Sequence, residues 1–436
     1  MHSAKAQNTI YHMPNYNVKN SIIRYFEVEK AYIIYTDDGS KSLFTYFEPT
    51  SNTIVNADFT SANIMIYDMK IVDKYLYFCG ETSSGGTAVF GFFEIYQTFF
   101  SAGPINILYA GAYSISGPGG TPANEQLKRF LQMEVQFFAS NDVHIYMIAD
   151  ANYYHNGTVS NNYRCVVDVW ETGTGGGTAH TNEQFSGVYF FNDLAITDNY
   201  LVVVGDKHGG TGQYMHNYAL IGPSTLTTLP LPPSIINYWS ADAYEYYPVP
   251  EVRVTHIHDD VFAVACHGVV KNTYDGIIVS IYQGVGNLID RILISDPYNT
   301  TQIRDLDFNY DVEKSKLYLI PEFNNTTKRN SQYVIDVSST YHMTGVTLQT
   351  PLLGEVHSMV ANNHGTEVCG KYVGELHVWE TDFSTNQCVQ TNNVPFQNYW
   401  FPEPFYHYEN YLNSWKYYYN TYYPIVSQGI VNIICK

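Results

Sequence analysis

Charged residues are scarce in this chain: Asp, Glu, Lys and Arg make up 14% of its 436 residues, against about 25% of an ordinary soluble domain. The few charges are also unbalanced, because 41 acidic residues stand against 22 basic ones and the formal net charge is −19. A surface of that sign repels phosphate backbones. The composition therefore argues against nucleic acid as a partner and is compatible with glycans, cations or basic proteins.

Two kinds of apolar pattern are also missing. No apolar run approaches the roughly 18 residues that a helix needs to span a bilayer, so we expect no membrane span. Sustained apolar spacing at i, i+3 and i+4 is absent as well, which predicts few helices. The best short helical candidate is residues 124–134, although this segment could equally lead into a strand.

The six cysteines form no Cys-x-x-Cys pair, which argues against a zinc site. Cys79, Cys266 and Cys369 fall at similar strand positions in different parts of the chain, a pattern typical of small core residues rather than disulfide partners. Pairing of Cys388 or Cys435 stays open.

Catalytic motifs are absent too. The chain contains no Gly-x-Ser-x-Gly elbow, no phosphate-binding loop and no His-Glu-x-x-His motif. The carboxylate pairs Asp37/Asp38 and Asp259/Asp260 lie in predicted turns, where Asp is favoured for its bonds to the backbone. The sequence thus favours a protein that is not an enzyme.

What the chain does contain is a repeat. Residues 68–80 and 193–205 share Asp, Ile, Asp, Tyr, Leu and Gly in register, and each reads as strand, polar turn and strand. One such unit cannot bury both of its faces, but neighbours in a ring can. We therefore predict an all-β fold, a single β-propeller of seven four-stranded blades, with six or eight blades as alternatives. Copies of the unit occupy about residues 21–48, 65–110, 130–172, 187–229, 251–296, 302–349 and 355–392.

In repeat period and strand pattern, residues 20–392 resemble β-propeller repeats of a bacterial, exported type. They lack the Trp-Asp and Gly-His marks of WD40 blades, the paired glycines of kelch repeats and the Asp-box of sialidases. We divide the chain into a leader at 1–20 and a propeller at 21–436. The propeller ends in a short aromatic extension, 393–436, whose last strands would complete the first blade and close the ring.

The leader contains an Ala-x-Ala-Gln pattern within Ser3–Gln7 that resembles the end of a signal peptide. A chance match in a disordered leader is the alternative. The pattern predicts export, to the periplasm, the cell surface or the medium.

Three carboxylates, Asp68, Asp193 and Asp305, fall at the start of the predicted innermost strand of their copies. Such strands line the channel of a propeller, where carboxylates from several blades could converge on a cation or a polar ligand. The alternative is structural, because an Asp at this point can accept backbone N–H bonds.

Metal binding is a weaker prediction. Asp305, Asp307 and Asn309 alternate with apolar residues as calcium ligands do, but Tyr310 and Lys316 occupy positions where a calcium loop has Gly and a carboxylate. His256 and His258 would share one face of a strand. We predict no cofactor, with calcium as the alternative.

Clustered aromatic residues are the most suggestive surface feature, because exposed rings stack on sugars or dock proteins. In the C-terminal cluster, the rings could instead pack over one end of the propeller. The candidate ligand-binding residues are Trp239, Tyr244, Tyr246, Tyr247, Trp400 and Trp415.

These patterns lead to three functional hypotheses. The first is a non-catalytic, exported or surface-displayed protein that binds a glycan or a protein through loops of one propeller face. The second is a glycan hydrolase or lyase that uses the channel carboxylates. The third is a structural subunit of a phage or surface assembly; the sequence leaves the oligomeric state open.

Overall fold

The computed structural model describes residues 8–83, 86–109, 113–116, 122–137, 143–155, 158–171, 179–183, 189–207, 213–220, 226–228, 252–270, 274–284, 287–295, 303–323, 333–348, 355–362, 365–372, 375–381, 388–395 and 428–435. Strands dominate these residues. Their helices are a 3₁₀ helix at Thr60–Ala62 and the short helix α1 (Ile95–Ser101).

The strands up to residue 196 are β1 (Asn8–Asn17), β2 (Asn20–Phe26), β3 (Ala31–Asp37), β4 (Ser42–Glu48), β5 (Thr53–Asp58), β6 (Ile64–Val72), β7 (Tyr75–Thr82), β8 (Ala88–Glu94), β9 (Asn106–Tyr109), β10 (Tyr113–Ser116), β11 (Pro122–Phe137), β12 (Val143–His155), β13 (Thr158–Glu171), β14 (Ala179–Glu183) and β15 (Tyr189–Ile196). Those that follow are β16 (Tyr200–Lys207), β17 (Gln213–Leu220), β18 (Leu226–Thr228), β19 (Val252–His258), β20 (Val261–Val270), β21 (Tyr274–Gln283), β22 (Asn287–Ser295), β23 (Ile303–Asp311), β24 (Lys316–Phe323), β25 (Tyr333–Val337), β26 (Met343–Leu348), β27 (Glu355–Asn362), β28 (Gly365–Tyr372), β29 (Glu375–Thr381), β30 (Cys388–Pro395) and β31 (Gln428–Cys435).

Within the described residues the strands form six hydrogen-bonded sheets. Five have the size of a single blade: β2 to β5, β6 to β9, β10 to β14, β15 to β18, and β27 to β29 with β1 at the outer edge. The sixth has ten strands, because β30 and β31 join the outer edge of β19 to β22 to that of β23 to β26.

The innermost strands close a ring. β2, β6, β11, β15, β19, β23 and β27 contact one another in this order, and β27 contacts β2. The apolar clusters lie between neighbouring sheets; Phe44 of one sheet and Phe93 of the next, for example, meet edge to face at 5.0 Å. The chain is therefore a single all-β propeller, as the repeat predicted, and the number of seven blades stays a prediction.

The two copies of the repeat have the same local structure around their first aspartate. Asp68 lies opposite Cys79 and Asp193 opposite Val204, and in both strands a β-bulge comes immediately before the aspartate. The turns that follow differ, because Asp73 adopts a left-handed backbone conformation, with φ of 54°, and Asp198 does not; Asp259, in the later copy at 251–296, matches Asp73 with φ of 48°. Asp tolerates this conformation better than most residues do, which explains its recurrence there.

The ring is closed differently from our expectation. Residues 8–17, which we assigned to a leader, form β1, and β1 pairs with β29 as the outer strand of the last sheet. The C-terminal strand β31 instead lies parallel to β22 and antiparallel to β30. The first sheet needs no returning strand, because β5 already supplies its outer edge.

The helical candidate at 124–134 is wrong, because these residues lie in β11. Their buried side chains, Leu127, Phe130 and Met133, are three residues apart. β11 has two β-bulges, one after Leu127 and one after Phe130, and each inserts an extra residue. The spacing between consecutive buried side chains is therefore three residues instead of the usual two. Three-residue apolar spacing imitates a helix for that reason.

Cys79 and Cys266 are buried and form no disulfide, which confirms their prediction as core residues. Cys369 occupies the equivalent backbone position, opposite Ser358 as Cys79 lies opposite Asp68. Cys388 and Cys435 are direct partners in the register of β30 and β31. Their side chains, like that of Cys369, are outside the described part of the chain, and disulfide pairing stays a prediction.

Candidate functional site

The inner strands enclose a cavity of about 660 Å³ near the axis of the propeller. The cavity is lined by residues of all seven innermost strands, β2, β6, β11, β15, β19, β23 and β27. The lining contains the cations Arg24, Lys70 and Arg253 and the carboxylates Asp68, Glu134, Asp193 and Asp307.

Three of these carboxylates connect neighbouring inner strands. Asp68 accepts a hydrogen bond from Met133 N at 3.0 Å, and Asp193 accepts one from Val254 N at 2.9 Å. Asp307 accepts one from Met359 N at 2.6 Å. Each bond runs from one inner strand to the next, so these side chains fasten adjacent blades at the axis.

The structure thus places two of the predicted channel carboxylates, Asp68 and Asp193, on the cavity wall and gives both a structural bond. Asp305 lies on β23, with its side chain outside the described part. Asp307, two residues further along, makes the bond between strands. Residues two apart on a strand are equivalent in a sequence pattern, so the sequence could not decide whether position 305 or 307 makes the bond to β27.

Arg24 is the residue of this site that sequence reasoning missed. Its Nη2 donates to Asp68 Oδ1 at 2.5 Å and its Nε to Met69 O at 2.6 Å. Nη1 donates to Ser358 Oγ at 3.2 Å, so the guanidinium joins β2 to both neighbouring inner strands. Its partners Asp68 and Ser358 are 44 and 334 residues away along the chain, so no local pattern in the sequence predicts these bonds.

Lys70 and Glu134 form a second ion pair inside the cavity, with 2.7 Å between Nζ and Oε1. Burial acts to lower the pKa of Lys70, but the carboxylates of Glu134 and Asp68 outweigh it and the pKa is raised. Lys70 is therefore charged at neutral pH, and its charge is matched by a neighbour.

Asp193 differs from the other carboxylates in its electrostatics. Burial raises its pKa to about 7, although Arg253, the N–H of Val254 and Lys70 all act to lower it. A carboxyl group with this pKa exchanges its proton near neutral pH, which is the property required of a general acid or base.

The predicted metal ligands are only partly brought together. Asp307, Asn309 and His256 line the cavity, whereas His258 is 56% exposed and pairs with Asp259 at 3.0 Å. A β-bulge between His256 and His258 explains why they do not share a face. Among the residues that the structure describes, no three His, Cys, Asp or Glu side chains cluster closely enough to hold a metal ion. Calcium binding stays a prediction.

The six aromatic candidates, Trp239, Tyr244, Tyr246, Tyr247, Trp400 and Trp415, lie outside the described residues. Within the described part, no helix has the length and apolar character needed to cross a membrane.

No protein-family model matches the chain, and no curated protein matches its sequence. A chain of Kuenenia stuttgartiensis hydrazine synthase is similar in structure, with 10% identity and a TM-score of 0.51 over 87% of this chain and 99% of that one. A chain of a mitotic checkpoint complex is 7% identical, with a TM-score of 0.49 over 87% of this chain and 97% of that one. The polysaccharide lyase Uly1 is 9% identical, with a TM-score of 0.46 over 87% of this chain and 94% of that one. The likeness to hydrazine synthase concerns the fold alone, and the chain is a β-propeller.

Proposed function

We propose that the protein is a non-catalytic, exported or surface-displayed binding protein, and that its ligand is a glycan. The observation that carries this proposal is the internal pairing of charges in the axial cavity. Arg24 pairs with Asp68, and Lys70 pairs with Glu134. A cavity with donors and acceptors but little unpaired charge suits a neutral ligand with many hydroxyl groups. Its volume, about 660 Å³, falls in the range of small-molecule sites.

The engagement of the carboxylates supports a non-catalytic role. Asp68 accepts bonds from two backbone N–H groups and from Arg24, and Asp193 accepts bonds from the N–H groups of Leu194 and Val254. A catalytic carboxylate has to reach the substrate. These oxygens are instead directed at the protein's own backbone.

A glycan array followed by calorimetry tests the proposal. Asn309 lines the cavity, so Asn309→Ala should weaken binding about fivefold, the loss of roughly one hydrogen bond. Asn287→Ala, at an exposed position on the outer strand β22, is the matched control and should leave binding unchanged. Absence of glycan binding together with a multimer in light scattering would contradict the proposal and favour the structural subunit.

The raised pKa of Asp193, about 7, favours a second candidate, a glycan hydrolase or lyase with Asp193 as general acid or base. This candidate predicts cleavage of a bound glycan, and loss of cleavage with retained binding in Asp193→Asn. If the wild-type protein binds a glycan and leaves it intact over a day, the binding function is favoured.

We also propose that the ring has seven blades. The seven innermost strands, β2, β6, β11, β15, β19, β23 and β27, support this number because each contacts the next. The ten-stranded sheet then counts as two blades joined by β30 and β31. Counting the blades in a cryo-electron microscopy or crystal structure tests it, and six or eight would overturn it.

A further inference from the structure

An aromatic platform, defined by Tyr46, Tyr96 and Phe100, lies far along the chain from the predicted aromatic loops; two of its rings are exposed, and Tyr46 is buried. Tyr96 and Phe100 stand four residues apart on α1, with ring centroids 4.9 Å apart, and Phe100 meets Tyr46 edge to face at 5.2 Å. Tyr96 is 57% exposed and Phe100 is 42% exposed. Two large rings are therefore held side by side in solvent.

The attachment of α1 to the sheet does not depend on the Tyr96 ring, and Phe100 contributes to it through Tyr46 alone among the ring contacts of the described residues. The helix α1 is anchored by its other face, where Ile95, Thr98 and Phe99 are buried. Small exposed helices usually carry polar residues on the solvent side. Adjacent exposed rings are typical of a surface that binds something.

Carboxylates lie around this platform. Glu48 follows Tyr46 by two residues on β4, so both side chains are on the same face of the sheet. Burial raises the pKa of Tyr46 to about 12, and Glu29, Glu48 and Tyr96 act in the same direction. The rings thus lie in a region of negative potential.

We propose that the aromatic platform docks a lysine- or arginine-bearing segment of a partner protein. A cation over the face of a Tyr or Phe ring is attracted by the ring's quadrupole. Glu29 and Glu48 provide the opposite charge, and the net charge of −19 draws a basic partner towards the protein. A neutral sugar would gain stacking from the rings but nothing from the charge, so the combination favours a basic segment.

The experiment measures binding of pentalysine and pentaarginine peptides to the full chain by calorimetry, with a Gly-Ser pentapeptide and cellohexaose as neutral probes. Tyr96→Leu and Phe100→Leu keep an apolar side chain but remove the ring. Each should weaken peptide binding about two- to fivefold, and Glu48→Gln should weaken it about twofold. Phe137→Leu is the matched control, because Phe137 is 43% exposed on β11.

Weaker binding in the two ring variants, with no change in Phe137→Leu, supports the proposal, provided that circular dichroism and the unfolding midpoint match the wild type. Equal peptide binding by the wild type and both ring variants overturns it, because the charge is then recognised elsewhere. Cellohexaose binding that is lost in the ring variants also overturns it and assigns the platform to glycans. Neither result bears on the axial cavity, which Asn309→Ala tests separately.

Discussion

Replacing Asp68 with Asn should destabilise the propeller strongly, because this one side chain joins three inner strands. Asp68 is 2% exposed, and its carboxylate accepts bonds from Met69 N, Met133 N and Arg24. Asn keeps one acceptor oxygen but directs an NH₂ group at groups that are themselves donors. Removing one partner of a buried charge pair costs about 3–5 kcal/mol. Since the Arg24 side chain is 23% exposed, we expect about 3 kcal/mol.

Urea unfolding followed by tryptophan fluorescence measures this loss, as a fall in the free energy of unfolding. Asp193→Asn is the control, since Asp193 makes the same bond between strands but has a pKa raised to about 7. A neutral amide resembles a carboxyl group that is half protonated at neutral pH more closely than it resembles a charged carboxylate. Asp193→Asn should therefore lower the free energy of unfolding by less than half as much as Asp68→Asn. A double-mutant cycle with Arg24→Gln should give a coupling energy above about 1 kcal/mol. A cost for Asp68→Asn within about 0.5 kcal/mol of zero, the range of ordinary surface substitutions, would refute the reasoning.

Three further predictions concern pH, thiols and ring closure. Asp193 has a pKa of about 7 in the folded protein, whereas an unfolded Asp loses its proton near pH 4. Between about pH 4 and pH 7 the folded protein therefore binds more protons than the unfolded chain. The free energy of unfolding should fall as the pH rises through this range, by at most about 4 kcal/mol. Asp193→Asn should remove this dependence, and an unchanged pH profile in the variant would contradict the raised pKa. Burial raises the pKa of Cys266 to about 12 and that of Cys79 well above its usual range. Neither thiol should therefore react with a disulfide reagent at about pH 8 until urea unfolds the chain. Rapid labelling of either residue in the folded protein, located by mass spectrometry, would contradict this prediction. Deleting residues 1–17 removes β1 from the edge of β29 and should lower the unfolding midpoint or cause dimerisation in light scattering, whereas a stable monomer would show that the ring closes without β1.

The repeat revealed the fold because its signal is local. In both copies the first aspartate follows a β-bulge, and the second lies in the turn between the inner and second strands, where Asp is favoured. The copy of the unit predicted at residues 21–48 contains β3 and β4 for the same reason. Periodicity and turn chemistry depend on neighbours in sequence, which a sequence displays directly.

The parts that sequence could not predict depend on distant contacts. Arg24 and Asp68 are 44 residues apart and meet only because their strands are neighbours in the ring. The strand at residues 8–17 pairs with a segment more than 350 residues away, and its composition does not distinguish it from a leader. Bulges in β11 moved its apolar residues to a helical spacing. Each failure comes from a register or pairing that local preference does not determine.

The place of β1 has a consequence for how the molecule is made. During translation, β1 is made more than 350 residues before its partner β29, which begins at residue 375. Until β29 is available, β1 has an unsatisfied row of N–H and C=O groups, which can pair wrongly with other chains. The last blade is therefore completed only when residues separated by most of the described chain have both been synthesised.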